Sequence, residues 1–253
     1  MKFLRVFATD LRQVFSWRLA AAILITFIIY SFAGFGFVND EYIDVWYVLE
    51  MAVWGSTAFF TIYVIPAFSF APSLAMEWQS GASRLWIIRT GSDRYTISKI
   101  LGCAVSGFLT HFVATVLLMV VLSAKLPLYF KSSTTELYEI TLMQNGYPLA
   151  GMLLFIADRS LKTVVAAEIG MVASVFFIHP YVAIAAPLGI ILTMSRLIYK
   201  YNFPSVLDLA WWNSLPANTA AEAILIKLVL TLLYTVFFSW LAVIGMRRRI
   251  AHV

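Results

Sequence analysis

Charge is scarce in this chain. Lys, Arg, Asp and Glu make up 12% of its 253 residues, and hydrophobic residues make up 62%. Ordinary soluble domains carry about 25% charged residues. The shortage excludes a soluble fold, because much of any folded surface must face water and too little polar sequence exists here to cover one. Cysteine is nearly missing: the single Cys103 excludes an internal disulfide, and its place in an apolar run reads as a small core residue. Histidine is limited to His111, His179 and His252, with no H-E-x-x-H spacing. No G-x-S-x-G elbow and no G-x-x-x-x-G-K-[ST] loop occurs. Zinc hydrolysis, serine-nucleophile hydrolysis and phosphate-loop ATP binding therefore have no signature in this chain, and no catalytic or metal-binding residues are expected.

What the chain has in abundance is uninterrupted apolar sequence, with a mean hydropathy of +0.86. A helix needs about 20 apolar residues to cross the hydrocarbon of a bilayer. Leu19 to Val38, Met51 to Met76 and Ile100 to Ala124 meet that length without Lys, Arg, Asp or Glu. Ile140 to Ala157 is a shorter fourth run, and Thr163 to Ile178 a fifth, interrupted by Glu168. Ala223 to Met246 is the last, with Lys227 near its start and Glu222 just before it, both placed to reach the outer interface. The expected fold is an all-α polytopic membrane protein with six transmembrane helices, forming one domain over residues 1–253. A seventh apolar run, Tyr181 to Ser195, is broken by Pro187 and Gly189. It reads as a re-entrant or broken helix within an outer segment over 180–222, with a full span as the alternative. No cleavable signal peptide is expected, since the first run is too long for one.

The basic residues support an even number of crossings. Thirteen of the eighteen Lys and Arg fall on one side of this topology: Lys2, Arg5, Arg12 and Arg18; Arg84, Arg89, Arg94 and Lys99; Arg159 and Lys162; Arg247, Arg248 and Arg249. Asp40, Glu41 and Asp44 fall on the other. Basic loops stay in the cytoplasm, so both termini are expected there and the chain in the cell membrane. The net charge of +5 follows from topology. The basic residues are dispersed among cytoplasmic segments, so nucleic acid is not an expected partner.

Residues 1–18 form an amphipathic pattern. Phe3, Leu4, Phe7, Leu11, Val14 and Phe15 recur at helical spacing, with Lys2, Arg5, Asp10, Arg12 and Gln13 between them. That spacing predicts an N-terminal helix in the membrane interface, turning into the first span at Trp17 and Arg18. Pro66 and Pro72 predict a bend near the end of the second run. The segment 77–99 is polar and basic between two long apolar runs. A short surface helix is predicted over Ala82 to Thr90, then a turn at Gly91, and a helix capped by Ser92 or Asp93 running through Lys99 into the third span. From the residues alone, the surface helix lies either on anionic headgroups or in a partner protein. His111 near mid-span reads as a buried, hydrogen-bonded histidine, with a proton relay as the alternative. Glu168 reads as a polar clamp or pathway residue, or else as a group close enough to the cytoplasmic end to reach the interface. Trp211, Trp212, Pro204 and Pro216 mark an outer aromatic segment.

An interfacial helix, six spans, a helix-bearing loop after the second span and broken structure before the last resemble the permease subunit of type-2 ABC transporters, the type V exporter class. In the second loop the resemblance rests on Glu77 to Gly81 as an E-x-x-x-G element, Leu85 to Ile88, the turn Gly91-Ser92, and Lys99 opening the third span. Gln79 replaces a second acidic residue frequent in that element, and Gly91 replaces a frequent turn proline. The resemblance implies a coupling helix near residues 80–90 that docks into a separate ATP-binding-cassette ATPase. Glu77, Gly81, Arg84, Leu85, Trp86, Arg89 and Arg94 would form the docking site. Leu85 and Trp86 would be its anchors, and the arginines would meet acidic rims. ATP and Mg would belong to the partner ATPase, and this chain would hold no cofactor. A second permease chain, identical or paralogous, would complete the assembly. The cargo expected from apolar, aromatic spans is amphipathic or lipophilic: an antimicrobial peptide, a lipid or a drug. The alternatives are a proton-coupled secondary transporter using Glu168 or His111, and an ATPase-independent membrane assembly factor.

Overall fold

The computed structural model describes residues 2–36, 43–54, 60–130, 138–204, 207–209 and 220–251. Among these residues all regular structure is helical. Helix α1 (Lys2–Val14) is followed by a two-residue break and α2 (Trp17–Phe35). Then come α3 (Val45–Trp54), a π-helical turn (Phe60–Val64), α4 (Ile65–Phe70), α5 (Pro72–Gln79), α6 (Ala82–Thr90) and α7 (Ser92–Ser123). The chain continues with α8 (Tyr138–Gln144), α9 (Pro148–Phe176), α10 (Pro180–Tyr201) and α11 (Ala220–Ala251). Among the described residues, four helices are long and apolar enough to cross a membrane: α2, α7, α10 and the 224–251 part of α11. Their outward faces are apolar, with Leu24, Ile28 and Phe32 on α2 and Leu232, Val236 and Trp240 on α11 exposed. Faces of this kind suit contact with lipid tails.

The later part of the expected fourth run, from Pro148, and the fifth run are one helix, while Ile140 to Gln144 belongs to α8. α9 passes unbroken through the residues read as a cytoplasmic loop, so Arg159 and Lys162 are not in a loop at all. Every residue from Asp158 to Met171 is buried. A helix buried all round lies at the centre of its bundle, and α9 packs against α4, α7, α10 and α11. At 29 residues and about 1.5 Å rise per residue, it is long enough to cross. Its four ionisable residues, Asp158, Arg159, Lys162 and Glu168, divide its hydropathy into two short pieces. That is why the sequence read as two runs and a loop.

The run Tyr181 to Ser195 also differs from expectation. α10 is a continuous helix of 22 residues with Pro187 inside it, one of the four long enough to cross. A proline within a helix removes one backbone bond without ending the element when its neighbours hold it. Pro187 is buried against such neighbours. The outer residues Asp40, Glu41, Trp211, Trp212 and Pro216, and His252, lie outside the described residues. Asp44 is described: Oδ1 accepts from the Tyr47 amide at 2.7 Å and Oδ2 from the Phe130 amide at 2.6 Å. It caps α3 and pins the segment that follows α7.

The helical run is divided at the two prolines where a bend is expected. Pro66 stands in the first turn of α4, after the π-helical turn, and Pro72 opens α5. Prolines are tolerated there because those amides have no intrahelical partner.

Small residues let the central helices approach. A Cβ placed on Gly107 of α7 would lie 2.6 Å from the Thr163 carbonyl oxygen and 2.9 Å from Ala167 Cβ on α9. Thr163 Oγ1 donates to the Gly107 carbonyl at 2.8 Å across the same contact. Close backbone approach with an interhelical hydrogen bond is the usual cement between membrane helices. Gly107→Val should therefore lower unfolding free energy by about 1–3 kcal/mol, read as a lower thermal midpoint in detergent. An unchanged midpoint would mean that α7 and α9 can part without cost.

Candidate functional site

Two polar constellations stand out in this apolar protein. The first lies at the end of the bundle that holds both termini. Arg247 of α11 pairs with Asp93 of α7. Arg249 donates to the Phe176 carbonyl at 2.8 Å, and Gln79 to that of Ile178 at 3.0 Å. The ends of α5, α9 and α11 and the starts of α7 and α10 are thereby brought to one level.

At that level Lys99, 1% exposed, sits between two carboxylates. Its Nζ is 2.5 Å from Glu77 Oε1 and 2.8 Å from Asp10 Oδ1, and it donates to Gln13 Oε1 at 3.0 Å. Tyr95 donates its hydroxyl to Glu77 Oε2 at 2.6 Å, and Ser98 donates to Asp10. The ammonium also lies over the rings of Phe70 and Tyr95, at 5.2 and 5.6 Å. A buried charge persists only where it is paired and fully hydrogen-bonded, and this one is. The clamp ties α1, α5 and α7 together. Glu77, expected in the docking set, accepts from Lys99. One expectation is corrected. Asp10, read on the polar face of α1, is buried in the stripe Val6, Asp10, Val14, while Leu4 and Phe15 are exposed. α1 thus puts one face on the bundle and leaves apolar residues for lipid.

α6 stands beside this clamp. It occupies residues 82–90, as the sequence predicts. Gly81 before it has φ +77° and Gly91 after it φ +88°, conformations that L side chains rarely adopt. The two glycines turn the chain sharply at each end. α7 begins at Ser92 with Gly91 as its cap and no side-chain cap bond, so neither Ser92 nor Asp93 caps it; Asp93 holds Arg247 instead. On α6, Arg84, Leu85, Ile88 and Arg89 point outward, with Leu85 60% and Ile88 82% exposed. Trp86 and Ile87 pack partly against the core. Of the two expected anchors, Leu85 is presented and Trp86 is half-buried; Ile88 is the more exposed apolar residue. Arg94, at the start of α7, is exposed.

The second constellation is inside the bundle. Asp158 Oδ2 accepts from Arg159 at 2.8 Å, and its Oδ1 lies 2.5 Å from Lys227 Nζ on α11. The Arg159 guanidinium stacks over Phe155 at 4.5 Å, and Lys162 is buried one turn further on. Lys227, expected to reach the interface, is instead an internal ion-pair partner, 1% exposed. His111 Nδ1 is 3.2 Å from Ser160 Oγ, and its ring meets Tyr30 edge-on at 5.6 Å. Its Nε2 is buried without a hydrogen bond. Glu168 is fully buried, accepting from Thr235 at 2.7 Å through Oε1, so it does not reach the interface. It joins α9 to α11. Glu168→Gln keeps an oxygen for Thr235 and should change the thermal midpoint little, by less than about 1 kcal/mol equivalent. A large loss would mean that the carboxylate charge itself is needed for packing.

The sequence reading missed Asp158, Arg159, Lys162 and Lys227 as an internal group. The available signal was the i, i+1, i+4 run of opposite charges bounded on both sides by apolar helix. Among the described residues, no three His, Cys, Asp or Glu side chains gather as a metal site. Composition, helical architecture and outward apolar faces define a helical membrane-embedded protein. No family model matches the chain, nor does any curated protein or solved structure.

Proposed function

We propose that this chain is the membrane-spanning, non-catalytic subunit of an ATP-driven ABC exporter. The observation that carries the reading is α6: a nine-residue helix set off by two glycines of positive φ, with Arg84, Leu85, Ile88 and Arg89 turned away from the bundle. A rigid exposed helix with apolar residues flanked by cations suits insertion into an acidic-rimmed groove of an ATPase. The clamp of Lys99, Glu77 and Asp10 lies directly behind it and would transmit a push on α6 into α5, α7 and α1. In this reading α2, the α3–α5 series, α7, α9, α10 and α11 are six crossings. The termini, α6 and eleven Lys and Arg lie in the cytoplasm. Two such chains, identical or paralogous, rock between inward- and outward-open states as ATP and Mg act in the partner. The cargo is amphipathic or lipophilic.

The test is a mild-detergent pull-down of the full chain from its native membrane, with mass spectrometry. A stoichiometric ATP-binding-cassette protein is the expected companion. Ile88→Asp with Arg89→Glu should release it by at least about tenfold in affinity while the chain stays folded. Retention with unchanged affinity would place the docking surface elsewhere. A second reading, proton-coupled transport, draws on buried Glu168 and His111, each with one unbonded polar atom. Transport lost in Glu168→Gln with the ATPase still attached would favour it.

A further inference from the structure

Where α1 breaks before α2, a cavity of about 490 Å³ opens between that break and α4–α5. Its lining holds groups of both signs. The Arg18 guanidinium donates to the Met76 thioether, Nη2 to Sδ 3.1 Å, a weak acceptor for so strong a donor. Beside it α2 begins. Ser16 is extended and makes no side-chain cap bond. The Leu19 and Ala20 amides are taken by the Ser16 carbonyl at 3.1 and 3.4 Å, and those of Trp17 and Arg18 stand ahead of that ladder. First-turn amides attract anions. Ser73 lines the same space, and its hydroxyl oxygen is buried with no hydrogen-bond partner. A buried hydroxyl in that state is unfavourable until something meets it.

Glu77 and Gln13 line the same cavity and are its acceptors. Glu77 shares Lys99 with Asp10, so two carboxylates meet one ammonium and a net negative charge remains. The lining therefore carries both a guanidinium and a net anionic pair. At the mouth Trp17 is 70% exposed with the Arg18 guanidinium 5.8 Å from its ring. Trp beside Arg at the start of an apolar helix marks headgroup depth.

We propose that this cavity holds one zwitterionic glycerophospholipid by its headgroup. The phosphodiester sits on Arg18, Ser73 and the first turn of α2; the ammonium points toward Glu77 and Gln13. A guanidinium fork matches two phosphate oxygens. A primary ammonium has three donors for Glu77 and Gln13, whereas a quaternary one has none. A headgroup with phosphate alone adds an anion beside Glu77. The site thus prefers phosphatidylethanolamine over phosphatidylcholine and phosphatidylglycerol, whatever the chain transports and whether or not an ATPase is bound.

The experiment uses the full chain, delipidated in mild detergent and titrated with each of the three lipids and, separately, with inorganic phosphate. Bound lipid is read by native mass spectrometry and stability by thermal unfolding. Phosphatidylethanolamine should be retained at one per chain, about tenfold over the other two, with a raised midpoint, and inorganic phosphate should give no shift. Arg18→Lys keeps the charge at the membrane edge but loses the fork, and should weaken retention about fivefold or more. Ser73→Ala removes the unpaired hydroxyl without touching that charge and should weaken it as well, so the pair decides even if Arg18→Lys folds poorly. Equal retention of all three lipids, retention unchanged in the variants, or a shift with inorganic phosphate alone would overturn the proposal.

Discussion

Replacing Lys99 with Met should cost the protein about 3–5 kcal/mol of unfolding free energy, the usual penalty for removing one partner from a buried ion pair. Here the penalty falls on two carboxylates at once, because Asp10 and Glu77 both lean on the same ammonium. Without it, two acidic groups with little access to water face each other across α1 and α5. The loss should also be local. α1 is held to the bundle by its Val6, Asp10, Val14 stripe, so the variant should release α1 first, seen as faster amide exchange over residues 2–14 than over α9. Removing all three charges together, Lys99→Met with Asp10→Asn and Glu77→Gln, should recover a large part of the loss, since no uncompensated charge is then buried. A single variant within about 1 kcal/mol of the parent would show that water reaches the clamp and that it is not a closed site.

Asp158→Ala should be comparably severe, again about 3–5 kcal/mol, for the opposite reason. It removes a carboxylate that both Arg159 and Lys227 contact, in a stretch of α9 buried on every side. Cations in the middle of a membrane bundle are costly and have no nearby interface to reach. The expected result is a chain that inserts but loses the register of α9 against α11, with a lower thermal midpoint and increased protease sensitivity. Asp158→Asn keeps shape and one acceptor oxygen, and should fall between the parent and Asp158→Ala. If Asp158→Ala matched the parent, the cations would have to be satisfied elsewhere and the ion pairs would be incidental to folding.

These two sites differ in how legible they were. Glu77 and Lys99 stood out at the edges of apolar runs, and α6 between Gly81 and Gly91 was predicted to the residue. Local signals sufficed because a surface helix flanked by glycines is decided by backbone conformation near those residues. The partnership of Lys99 with Asp10 was not legible. It joins positions 89 apart, and the periodicity of α1 placed Asp10 on the wet side. Lys227 was misjudged for a related reason: a lysine near the end of an apolar run has a nearby interface, and nothing local says that Asp158 waits inside.

Hydropathy, proline and glycine spacing were enough for the class, the long helices α2, α7 and α11, the helix boundaries at Pro66 and Pro72, and the position of α6. Each depends on the solvent a segment prefers or on a local dihedral, and both are properties of short stretches of chain. The continuity of α9 and α10, the inward turn of Glu77 and Asp10, and the burial of Asp158, Arg159, Lys162 and Lys227 were decided by the fold. A charge or a proline reads as a break when taken alone. It becomes part of a continuous buried helix when another helix supplies the counter-charge or the packing, and only tertiary contact brings that partner within reach.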